Sequence, residues 1–366
     1  MLDSKDLIAQ VRHNCSISDC RYAGTYSVCG LALRLRDLYK WEKGLEPWVE
    51  ADSSVVLQWI GEKEDEWDRL EEEEFGRISV AGTTYDPFDV EGLNAVLMPH
   101  GLFYGAGYVQ GLKPSFLLAE LLETRTVEGF PVHVLGREHA RDLMTVPALS
   151  QERAILIRKE SARIFLWNLI FFLKKSSREA LRFALETYGI PDHHPKALKE
   201  NFDRICEEEI EAYIYHEVGE LKDVDFDREV WRNLLGAFPH TIIEFFARAL
   251  KDILADTNDG GKLAYIVRQR KTASLGLYAA FLDGLRKLLF PEFMEAFGAF
   301  KETRDWERVE EARRRGYGAA RERARRITEI FRSGPPNKDM GWMAAEIEKS
   351  VLEPLGLLKW KSEAED

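Results

Sequence analysis

Over most of the chain beyond residue 149, apolar residues recur every three to four positions, the period of a helix with one buried face. The pattern predicts helices near 150–174, 177–188, 195–222, 227–237, 239–256, 261–289, 291–301, 304–332 and 339–354. Pro239 suits a first helical turn and Gly260-Gly261 a stop. Toward the N-terminus, Leu7–Val11 fits a short helix, and a loop with Cys15, Ser16, Ser18 and Asp19 follows. Arg21–Glu42 then reads as one long helix with apolar residues on two faces, Leu31, Leu35 and Leu38 on one and Tyr22, Tyr26 and Leu33 on the other. A further helix runs from Ser53 to about Glu73.

Between residues 76 and 146 the texture changes. Ile78-Ser79-Val80 and Thr83-Thr84-Tyr85 flank Ala81-Gly82 as in a tight hairpin, and Thr126-Val127 with Val132-His133-Val134 flank Glu128-Gly129 as in a second. The expected fold is α+β and predominantly α-helical, a helical body with a small β-rich insertion of hairpins near 76–146. The expected divisions are an N-terminal helical segment over 1–75, a β-rich and glycine-rich segment over 76–147, and a helical domain over 148–366.

The helix predicted over 195–222 carries the candidate chemistry. At about 100° per residue, Leu198, Phe202, Ile205, Glu209, Tyr213, His216 and Glu220 fall within an arc of about 80°. The stripe starts as an ordinary core face and continues with two carboxylates, a phenol and an imidazole. Buried without partners, each would cost several kcal/mol. They therefore pair with one another, face solvent or an interface, or bind something. Glu209 and His216 stand two turns apart and His216 and Glu220 one turn, spacings that suit a divalent metal in a helical bundle or a general acid–base pair. His240 and Glu244, again one turn apart, are the candidates the next helix offers. Ile243, Phe246 and Leu250 mark its apolar face, and Glu244, Arg248 and Asp252 read as a salt-bridge ladder beside it. A closed structural network and a functional site both stay open.

Composition narrows the partners. The chain has 366 residues, 45% hydrophobic and 31% charged, with a net charge of −12. Nonspecific nucleic-acid binding needs basic surface, so it is disfavoured. The Arg-rich stretch Arg313–Arg326 reads as a solvated helix with pairs such as Glu322–Arg326, and an anionic partner is its alternative. The longest apolar run, Ile164–Leu173, is about half the ~20 residues of a membrane span, so it is expected as a core helix in which Asn168 finds an internal partner. The N-terminal stretch has no basic region followed by an apolar core, so a cytoplasmic location is expected.

Cys15, Cys20 and Cys29 have the spacing C-x4-C-x8-C, which matches no zinc or iron–sulfur pattern, so these and Cys206 are expected as reduced, buried structural thiols. The glycines of His100–Phe116 do not follow the G-x-G-x-x-G fingerprint. They are expected to serve close backbone approach or positive φ.

Four stretches, CGLALRLRDLYKWE at Cys29–Glu42, YGAGY at Tyr104–Tyr108, YIYHEVGE at Tyr213–Glu220 and KDILADTN at Lys251–Asn258, are similar to members of a bacterial protein family with no assigned function. The family is associated mostly with anaerobic, sulfate- or metal-reducing bacteria. The resemblance runs nearly end to end. It implies one conserved architecture, and it brings no activity, cofactor or partner. Two function classes stay open. One is a helical enzyme or metal- or ligand-binding protein centred on His216, with a divalent metal as candidate cofactor. The other is a noncatalytic interaction or scaffold protein that uses the Arg-rich C-terminal helix or the aromatic N-terminal helix, with a protein partner or a second copy of the chain.

Overall fold

The computed structural model describes residues 4–109, 113–190, 195–282, 284–333 and 340–359. The chain divides into two compact units, 1–172 and 173–366. Helix far exceeds strand, and all described strands lie in the first unit.

The first unit opens with α1 (Ser4–Tyr22), α2 (Val28–Glu42) and α3 (Ser53–Leu70). A small hairpin, β1 (Ile78–Val80) and β2 (Thr83–Tyr85), and a short helix, α4 (Val90–Leu97), lead into the main sheet. Its strands are β3 (Leu102–Val109), β4 (Lys113–Val127), β5 (Phe130–Arg141), β6 (Ala148–Gln151) and β7 (Ala154–Arg158). The order is β3-β4-β5-β7-β6, with β5 and β7 parallel and every other pair antiparallel. Helix α5 (Lys159–Phe171) closes the unit. Leu7, Val11 and Cys15 of α1 pack with Tyr104, Phe116 and Leu118 of the sheet.

Three expectations need correction here. First, residues expected as a loop around Cys15–Asp19 lie inside α1, and the break comes instead at 23–27, where Ser27 caps α2 by accepting from the Gly30 N–H at 3.1 Å. The polar residues of α1 do not punctuate it because each has a distant partner. Asn14 exchanges hydrogen bonds with the Gly76 backbone, the Ser18 hydroxyl donates to the Pro114 carbonyl, and Asp19 accepts from the Leu143 N–H at 2.9 Å. Second, the helix expected from residue 150 begins at Lys159. Ile155, Leu156 and Ile157 are fully buried in β7, flanked by β5 and β6, and a run apolar on both faces carries no period by which strand and helix differ. Third, His100–Phe116 is largely strand. Gly101 does take positive φ, and a Cβ at Gly105 would press on Leu117, but Gly107 has open space, and Gly111 lies outside the described residues.

Within Ile164–Leu173, Asn168 has its internal partners. Its amide donates to Asp37 and accepts from Arg36, each at 2.8 Å. The run is not buried on every side, since Phe171 and Phe172 are exposed. No described helix is long and apolar enough to cross a membrane. The four cysteines are free, and Cys29 is exposed rather than buried.

A closed ionic cluster joins β5, β7 and α5. Arg158 grips Glu138 with two bonds of 2.8 and 2.9 Å, the Ser161 hydroxyl reaches both carboxylate oxygens, and Arg141 stands 3.7 Å away. All four residues are buried. Burial pushes the Glu138 carboxyl up, but the two guanidinium groups outweigh it and hold it below its ordinary range.

The second unit is helical: α6 (Arg178–Thr187), α7 (Pro195–Lys222), α8 (Arg228–Ala237), α9 (Ile242–Thr257), α10 (Lys262–Arg268), α11 (Thr272–Phe281), α12 (Gly284–Leu289), α13 (Pro291–Thr303), α14 (Trp306–Ser333) and α15 (Met340–Ile347). Two glycines set its closest helix approach. A Cβ on Gly219 of α7 or on Gly261 before α10 would collide with the Ala255 carbonyl of α9. Asn258 secures the crossing by donating to the Gly219 carbonyl at 2.8 Å. The Arg-rich helix is only partly solvated. Arg313 is buried and donates to Glu310, Asp259 and the Thr257 carbonyl. Glu322 pairs with Arg325 rather than with Arg326, which turns to Glu346 and Glu329.

Candidate metal centre

Helix α7 carries its apolar stripe inward, and the polar residues continue it. Glu209 is buried and accepts from the Ser274 hydroxyl at 2.5 Å. Burial pushes its carboxyl above the ordinary range, with Lys262 and Ser274 offsetting part of the rise. Tyr213 is also buried. The Lys262 ammonium stands 5.3 Å from the Tyr213 ring and 5.8 Å from the Tyr278 ring, cation–π distances that suit a half-buried lysine.

One and two turns further on, the close approach at Gly219 places α7 against α9. His216 Nδ1 lies 2.8 Å from Asp256 Oδ1. Burial alone would lower the imidazole pKa, but the Asp256 charge and hydrogen bond outweigh it, and with Glu220 and Glu217 nearby the group is pushed up to about 10. Burial likewise raises Asp256, yet His216 holds it below its ordinary range, so the pair is an ion pair at neutral pH. Glu220 stands 3.2 Å from Lys251, and Asp252 stands 3.7 Å from Arg286. One ligand atom from each of His216, Glu220 and Asp252 falls within 4.8 Å of the others. Burial and then the repulsion of Asp256 and Glu220 push the Asp252 carboxyl up against the pull of His216 and Arg286. The Tyr278 hydroxyl is buried beside Asp256, and burial first and then the Asp256 charge push it up.

Of the six residues singled out from sequence, the structure brings His216 and Glu220 together. Glu209 and Tyr213 share their helix face but lie up to two turns away, roughly 10 Å for Glu209. His240 and Glu244 do not join the group. His240 is exposed, in a left-handed conformation at φ 60°, and its N–H donates to Glu244 at 2.6 Å. Glu244 also takes Arg248 at 2.8 Å while its own N–H reaches the hydroxyl of Thr241, the N-cap of α9, so Glu244 serves the helix start rather than the His216 group. The sequence reading did not name Asp256 and placed Asp252 in a ladder with Glu244 and Arg248, whereas Arg248 pairs with Glu244 and Asp252 meets Arg286. The two aspartates stand one turn apart, as His216 and Glu220 do, within the KDILADTN stretch. That matched spacing, with Gly219 between the first two residues, was the available signal.

Residues 6–158 match the N-terminal domain model, and residues 163–350 the C-terminal domain model, of a family of unknown function, DUF6866. The chain belongs to this family. No curated protein and no solved structure matches it. The first match ends with β7 and the second begins within α5, so the candidate centre lies wholly in the C-terminal DUF6866 domain.

Proposed function

We propose that the C-terminal domain binds a divalent metal ion through His216, Glu220 and Asp252, with Asp256 orienting the imidazole. The observation that carries this reading is the convergence of the three ligand atoms within 4.8 Å, drawn from two helices. Three ligands bound at about 2.0–2.2 Å to one ion lie roughly 3.0–3.8 Å from one another, so closure needs side-chain shifts of up to about 1 Å. The mutual repulsion of Glu220, Asp252 and Asp256 is what a dication relieves. A carboxylate on one imidazole nitrogen is the usual way a metal-binding histidine is oriented. The three side chains are between 21% and 37% exposed, which leaves room for water or substrate on the ion. One imidazole with carboxylate oxygens, and no sulfur, suits Mn2+, Fe2+ or Zn2+.

A second reading has its own support. Each acidic group already has a basic neighbour, so the same residues make a closed structural network without an ion. Titration calorimetry on the chelator-treated full chain with Mn2+ and with Zn2+ separates the two. The metal reading expects one site, lost in His216→Ala and in Asp252→Asn while helix content is retained. No uptake of either ion favours the structural network. The family resemblance and the four free thiols support a setting in the cytoplasm of an anaerobic bacterium, a reading that expression with a periplasmic leader, followed by thiol counting, would test.

A further inference from the structure

We propose that the metal-loaded centre binds a phosphate group, with Lys251 and Arg286 as its protein partners; this rests on the metal reading above. Lys251 approaches Glu220 at 3.2 Å and Arg286 approaches Asp252 at 3.7 Å. Glu220 and Asp252 are themselves members of the converging set. Each basic group therefore stands one contact behind a different ligand, one on α9 and one on α12. Turning the two carboxylates onto an ion takes their charge away from Lys251 and Arg286.

The charge balance then favours an anion. Binding of the ion displaces one imidazole proton to solvent, after which Glu220, Asp252 and Asp256 are outnumbered by the dication, Lys251 and Arg286, which leaves one net positive charge. Of the next charges out, Lys262 and Glu217 offset one another, and Asp223, near Lys251, is a carboxyl that burial pushes up. The three positive points are an ion, an ammonium and a planar guanidinium. A tetrahedral oxyanion can offer an oxygen to each, whereas a carboxylate has only two oxygens to share. The half-exposed rim of the group gives such an anion access. The Lys251 ammonium also lies 5.2 Å from the Trp231 ring, which keeps it near the rim when Glu220 turns away.

The test uses the full chain loaded with Mn2+ and titrated with inorganic phosphate, phenyl phosphate and acetate. Phosphate is expected to bind the loaded protein and not the chelator-treated one, and acetate to bind far more weakly. Lys251→Met and Arg286→Met are each expected to weaken phosphate by about tenfold or more, with Mn2+ affinity retained or tightened. Arg286→Lys should recover part of the loss, which separates lost charge from a damaged fold, and circular dichroism checks helix content. Tighter binding of phenyl phosphate than of inorganic phosphate identifies an ester as the natural form, and the reverse identifies free phosphate. Mn2+ uptake without phosphate binding, equal affinity for acetate, or unchanged affinity in both Met variants overturns this proposal alone. Absence of Mn2+ uptake overturns it together with the metal reading.

Discussion

The two units each hold an ionic cluster, and the clusters are built differently. Around Glu138, two arginines and a serine close on both carboxylate oxygens at 2.8–3.7 Å in a site sealed from solvent. Around His216, one pair is tight at 2.8 Å, two others are loose at 3.2 and 3.7 Å, and the rim is open. The first cluster has its polar atoms matched to one another and has no place for a further group. The second has carboxylates held close at mutual cost, which an additional cation would reduce. Burial of charge is common to both clusters; what separates them is the open rim and the mutual repulsion of the carboxylates in the second.

The largest expected effect falls on the closed cluster. Glu138→Ala leaves Arg158 and Arg141 buried without their counter-ion and should cost about 3–5 kcal/mol, read as a lowered urea midpoint. His216→Ala should cost less, about 1–3 kcal/mol, and should abolish metal uptake. Equal losses from the two variants, with no ion bound by the wild type, would erase the distinction between the clusters.

Next is the crossing that builds the open cluster. Gly219→Ala pushes a methyl into the Ala255 carbonyl and should cost about 1–3 kcal/mol by forcing α7 and α9 apart. It should also weaken Mn2+ binding, since His216 and Glu220 flank the crossing on one side and Asp252 and Asp256 on the other. Gly236→Ala, where a Cβ meets open space, is the matched control and should do neither. Full Mn2+ affinity in the Gly219→Ala protein would show that the ligands do not depend on the close approach.

The smallest effect sharpens the limit of the site along α7. The Glu209 carboxyl is raised above its ordinary value of 4.5 by burial, so the folded protein keeps a proton that the unfolded chain has released. Stability from this group is full below that value and falls as pH rises from there through the raised folded value. Glu209→Gln lacks this decline, so its stability relative to wild type should improve between about pH 5 and pH 7, with Mn2+ affinity unchanged. A constant difference across that range would indicate that Glu209 is not held protonated by its surroundings.

Much of the helical unit was legible in the sequence because its signal is periodic. Leu198, Phe202 and Ile205 announce the buried face of α7, and the polar residues that follow inherit its direction. The partners on α9 were harder to see. A carboxylate beside an apolar face, such as Asp252, reads the same whether it meets Arg248 on its own helix or His216 on another. In the first unit, Ile155–Ile157 carried no period, and Asn14, Ser18 and Asp19 resembled loop residues because their partners lie between 62 and 124 positions away. Local pattern registers a side chain's polarity, but not the distance to the group that satisfies it.

The Arg313 contact gives the centre a place in time as well as in space. Its guanidinium binds the Thr257 carbonyl, the residue after Asp256, across 56 positions of sequence. During synthesis His216 and Asp256 leave the ribosome well before α14 does, and contacts between distant segments form late because the intervening chain must first be closed into a loop. The wall that holds Asp256 is therefore finished only when the last long helix docks. Were an ion to bind at His216, Glu220 and Asp252, its ligands would all be made before α14, and the wall behind Asp256 would close only once α14 docks.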